Sequence, residues 1–63
     1  MDFTVVIHVG NDAFEPDPAP ELARLLRAIA DRVEQGEDCS HYLTIFDLNG
    51  NDVGRFASVH PSL

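Results

Sequence analysis

The sequence predicts an α+β domain of order β-α-β-β, with one helix packed on a three-stranded, mostly antiparallel sheet. Three observations carry this. Apolar residues between Pro20 and Gly36 repeat with helical spacing. A β-branched run, Phe3–Val9, precedes them, and two further strand-like stretches flank Asn49-Gly50. At 63 residues the chain makes one domain, 1–63.

The helix is the best-defined element. Leu22, Leu25, Leu26, Ile29, Ala30 and Val33 fall at i, i+3, i+4, i+7, i+8 and i+11, so they share one face. No Gly or Pro interrupts Glu21–Gln35, and good helix formers dominate it. Asp17 can cap the start, Pro18 and Pro20 fall where a missing N–H costs nothing, and Gly36 suits the left-handed position that ends a helix.

In the first strand Phe3, Val5, Ile7 and Val9 share the face expected to meet the helix; Thr4, Val6 and His8 share the other. Gly10–Ala19 reads as a loop, with Phe14 either a plug under the sheet edge or the helix start, or an exposed anchor for a partner. Ser40–Leu48 reads as the second strand and Asp52–Val59 as the third, ended by Pro61. The hairpin makes these two neighbours. A single helix covers one face only, whereas parallel pairs want both covered, so the third strand is expected in the middle, antiparallel to the first. Gly54, an unusual central-strand residue like Arg55, marks a bulge or a close backbone approach. Apolar residues occur in both phases of the last two strands. Some therefore remain on the open sheet face, through which a homodimer could form.

Eleven Asp and Glu oppose four Arg, with no Lys, for a net charge of −7. This argues against direct binding to nucleic acid or an anionic membrane, which needs a basic footprint. It suits a basic partner, and equally an ordinary soluble surface. No apolar stretch approaches the roughly 20 residues that span a bilayer, and no secretory leader is recognisable. The lone Cys39 makes no intrachain disulfide and fits a reducing compartment. On the helix, Arg24 lies three residues from Glu21 and Arg27 four from Asp31. The outer face is thus partly neutralised and the net charge left to the loops at its ends.

Catalysis, metals and cofactors are not expected. Cys39 and His41 lack an orienting group and an oxyanion site, and His8, His41 and His60 are scattered. Asp47-Leu48-Asn49-Gly50-Asn51 begins like a calcium loop, but Asp52 stands where Gly is needed and Ser58 where the bidentate Glu belongs. It reads as a polar hairpin turn.

Together, Glu21-Leu22-Ala23-Arg24-Leu25-Leu26-Arg27-Ala28-Ile29-Ala30 and Asp47-Leu48-Asn49-Gly50-Asn51-Asp52-Val53-Gly54 resemble a group of very small acidic proteins of bacteriophages and mobile elements. Within that group the chain is similar to anti-CRISPR proteins directed at the type I-C system. The resemblance covers the chain from first strand to third, on motifs that are structural. The chain is expected to be non-enzymatic, in the bacterial host cytoplasm and a monomer in preference to a homodimer, and the resemblance implies what such an inhibitor binds. Such a protein binds the large subunit of the Cascade complex, imitates the DNA backbone and blocks recognition of the protospacer-adjacent motif. The carboxylates available for this are Asp12, Glu15, Asp17 and Glu21 in one group, Glu34, Glu37 and Asp38 in a second, and Asp47 and Asp52 to extend either. The two groups adjoin opposite helix ends, about 24 Å apart at 1.5 Å per residue. An alternative is an acidic interaction module for another basic host or phage protein.

Overall fold

A computed structural model describes residues 1–59 of the chain. Strand β1 (Asp2–Ile7) leads through a short 3-10 turn (Asp12–Phe14) into helix α1 (Ala19–Glu34), and strands β2 (Leu43–Phe46) and β3 (Asp52–Val59) follow. The helix packs on a three-stranded antiparallel sheet of order β1-β3-β2, with β3 in the middle. Pro61 and His60 lie outside the described residues.

The helix starts where Asp17 accepts a hydrogen bond from the Ala19 N–H at 3.0 Å. It closes on Gly36, at φ +84°, with Gly36 N–H bonded to Val33 O and Glu37 N–H to Arg32 O. These are the two bonds that satisfy the last carbonyls of a helix ended by a left-handed residue. Its inner face buries Leu25 and Ile29 against Ile45, Val53 and Phe56. Phe14, 1% exposed, is the plug: it joins that core from the loop below the helix start.

β1 and β2 are shorter than their composition suggests. β1 ends at Ile7, which pairs with Gly54. His8 N–H still reaches Val53 O at 2.7 Å, but Val9 lies past the paired residues, is 42% exposed and stays out of the core under the helix. β2 spans four residues, not Ser40–Leu48. Asp38 folds its carboxylate onto the Ser40 N–H before it, and Asp47 turns inward after it.

At the middle of β3 both expectations for Gly54 hold. A Cβ there would collide with the Val6 carbonyl oxygen. The register with β2 also slips between Ile45 and Phe46, leaving Val53 as the extra residue. The bulge re-aims Val53 into the core with Phe56, which strict alternation would forbid. Arg55 is tolerated in the central strand because its guanidinium lies over the Tyr42 ring, 5.0 Å from the centroid.

Candidate partner-binding surface

The fold gathers the acidic residues at two ends. At the first lie the 3-10 turn, the start of α1 and the β2–β3 hairpin. They are tied together by carboxylates that point inward. Asp47 is 5% exposed and receives N–H donors on both oxygens. The Asn49 and Asn51 amides bond to Oδ1 at 2.8 and 2.9 Å, and Asn11 Nδ2 and Asn51 Nδ2 to Oδ2 at 2.8 and 3.2 Å. Burial alone would raise this carboxyl, but those bonds outweigh it and hold it below its ordinary value. Donors occupy the oxygens that a calcium ion would need.

Glu21, 6% exposed, performs a similar task. It accepts two hydrogen bonds from Arg24, at 2.6 and 2.7 Å, and one from the Leu48 N–H at 2.9 Å, stitching α1 to the hairpin. The Arg24 hydrogen bond, opposed by burial and helped by Leu48, lowers its pKa.

Glu21 and Asp47 are therefore structural, and neither is free to meet a partner. Around them Asp12, Glu15, Asp17 and Asp52 are exposed. Asp17 holds the Ala19 N–H and Asp52 the Gly54 N–H at 3.2 Å, each leaving an oxygen for solvent. This end has six carboxylates, of which Glu21 is paired with Arg24, while Asp52 also borders the open sheet face beside His8 and Arg55.

The second end is quieter. Arg32 binds Glu37 through both carboxylate oxygens, places its guanidinium 4.9 Å from the Phe56 ring centroid and reaches Thr44 O at 3.3 Å. Glu37 is thus neutralised where it stands, and the Arg32 hydrogen bond keeps its pKa low. Asp38 is held low by its hydrogen bonds from Ser40, with His41 3.9 Å away. Glu34 remains exposed. Glu34, Glu37 and Asp38 adjoin the helix end opposite Asp12, Glu15, Asp17 and Asp52, so the nine candidate carboxylates do not merge into one strip.

Cys39 and His41 are not brought together as a reactive pair. The Cys39 thiol donates to Glu37 O at 3.2 Å, while His41 turns to Asp38. Among the described residues no three of His, Cys, Asp and Glu converge as metal ligands would, and no helix is long and apolar enough to cross a membrane.

Sequence reasoning missed the burial of Glu21 and Asp47. Its trace was the spacing Asp47-x-Asn49-x-Asn51, which favours a carboxylate folding back on its own turn. It also missed where the apolar surface lies. The open sheet face carries Arg55, Thr44 and His8 beside Tyr42 and Val6. The larger exposed apolar groove runs on the helix side, between β1 and α1, and is lined by Phe3, Val5, Leu26, Ile29, Ala30 and Val33.

The chain matches no protein-family model, no curated protein and no solved structure.

Proposed function

We propose that this chain is an acidic inhibitor that imitates the DNA backbone. Its first end occupies the basic surface with which the large subunit of type I-C Cascade holds target DNA, and recognition of the protospacer-adjacent motif is blocked in the host cytoplasm. One observation carries the reading: Asp12, Glu15 and Asp17 are exposed on the turn and helix start, and Asp52 at the start of β3, around two carboxylates that are locked inside. Duplex DNA offers closely spaced phosphates that cationic proteins meet with Lys and Arg. A carboxylate set on a braced turn, helix start and hairpin offers similar charges on a rigid frame, so little ordering entropy is lost on binding. The resemblance in the helix and hairpin supplies the identity of the partner.

The test is a plaque assay in a host with an active type I-C system, challenged by a targeted phage. Expression of the chain restores plaques. Reversing Asp12, Glu15, Asp17 and Asp52 together to Lys abolishes the rescue while the circular dichroism spectrum stays the same. Rescue that survives the fourfold reversal overturns the reading in favour of an acidic module that meets another basic protein.

A further inference from the structure

We infer that the β1 edge and the groove beside it form a homodimer interface, in which β1 of one copy pairs antiparallel with β1 of a second to make a continuous six-stranded sheet. The inference is independent of what the acidic end binds.

The two sheet edges differ. β2 is only four residues long, and the outward carbonyl of Thr44 is already taken by Arg32. β1 has no such guard among the described residues. Its six residues, Asp2-Phe3-Thr4-Val5-Val6-Ile7, contain no Pro and no Lys, and its pairing with β3 is regular throughout. Exposed edges of this kind are ordinarily blunted, and an unguarded one is a template for another strand.

The backbone selects a register. His8 N–H bonds to Val53 O and the Val6 carbonyl lies against Gly54, so the even-numbered residues turn their peptide groups toward β3. By alternation Phe3, Val5 and Ile7 turn theirs outward. Only one antiparallel register lets all three pair with all three of a second copy: Phe3 opposite Ile7, and Val5 opposite Val5 on the twofold axis. That register sets Asp2 opposite His8 of the partner copy on the open face. A carboxylate thus meets an imidazole at both ends of the new ladder, although nothing about charge entered the choice. Both residues are exposed in the single chain.

The same register covers the apolar groove. Phe3 and Val5 of each copy lie on the helix side of the sheet, and Leu26 and Val33, 47% and 43% exposed, stand over them. Across the twofold axis these residues meet their own counterparts, as a self-complementary interface requires. Reversal of the strands sends the two Asp47-centred ends to opposite ends of the dimer. The strongest concentrations of negative charge therefore do not face each other.

Sedimentation equilibrium of the full chain, from micromolar to submillimolar concentration, tests this. The expected result is a species of twice the 7.0 kDa chain mass. Leu26→Arg shifts it to monomer without changing the circular dichroism spectrum. Asp2→Lys raises the dissociation constant about fivefold or more, and adding His8→Asp restores it. In a Cys39→Ser chain, Val5→Cys oxidises to a covalent dimer and Val6→Cys does not. Hydrogen exchange gives a readout that needs no variant: the Phe3, Val5 and Ile7 amides are protected in the dimer and exchange freely in a monomer. A chain that stays monomeric with those amides unprotected overturns the inference. So does a dimer that survives Leu26→Arg and leaves those amides unprotected.

Discussion

The two ends of α1 are both acidic in sequence, yet they use their carboxylates differently. At the start of the helix, Asp47 and Glu21 are turned inward and serve as fasteners between turn, helix and hairpin. At the far end, Arg32 captures Glu37 on the surface and doubles as a strut to the β2 edge. The first end therefore keeps four exposed carboxylates around a rigid centre, whereas the second loses one of its three to an arginine. Charge density along the chain and charge on the surface are separate quantities, and the difference is set by where the donors lie.

Removing the support beneath the first end has the largest expected effect. Phe14→Ala leaves a void in the core under the helix start and lowers stability by about 3–5 kcal/mol, measured by urea unfolding. Asp47→Ala comes next. It strips the acceptor from the Asn11, Asn49 and Asn51 donors and lowers the melting temperature by about 8 °C or more. If Asp47→Ala were neutral, the contrast between inward and outward carboxylates would lose its basis.

Acid sharpens the same comparison. Glu21, Glu37, Asp38 and Asp47 are all held below their ordinary values, 4.5 for Glu and 3.8 for Asp. The unfolded chain binds these protons more readily than the folded one. The stability they contribute is thus complete above those ordinary values and is lost as pH falls through the lowered, folded ones. Urea midpoints should be level down to about pH 5 and fall below about pH 4. Asp47→Asn flattens that fall more than Glu37→Gln, because Glu37 is solvated at the surface. The smallest effect is expected at the far end. Arg32→Ala costs about 1 kcal/mol, mostly from the lost contact with Phe56, since an exposed ion pair contributes little.

Much of the fold was legible because it rests on periodicity. The helical stripe located α1, and the residue range of β3 matches Asp52–Val59 as read. The order β1-β3-β2 followed from one helix having one face to cover. Less was legible wherever a polar side chain outcompeted the ladder. Asp38 and Asp47 ended β2 early through bonds to their own turns, a choice that strand propensity does not register. The Asn49-Gly50 turn shows the same limit. Only Gly50 takes a positive φ, +81°, and Asp47 O accepts from Gly50 N–H in a turn one residue longer than a two-residue hairpin, built around the Asp47 carboxylate. Leu26 and Val33 read as core by spacing but lie beyond the sheet's reach, because the six apolar positions outnumber those that three strands can cover. The candidate site was legible only as composition. Which carboxylates face outward depended on donors far away in sequence, such as Asn11 for Asp47 and Leu48 for Glu21.

The most direct test of the central claim is competition between this chain and target duplex DNA for purified type I-C Cascade, with each end neutralised in turn. The account predicts that Asp12→Asn, Glu15→Gln, Asp17→Asn and Asp52→Asn together weaken competition by about tenfold or more, and that Glu34→Gln, Glu37→Gln and Asp38→Asn together change it little. Equal losses from the two sets, or undiminished competition when the first set is neutralised, would contradict it.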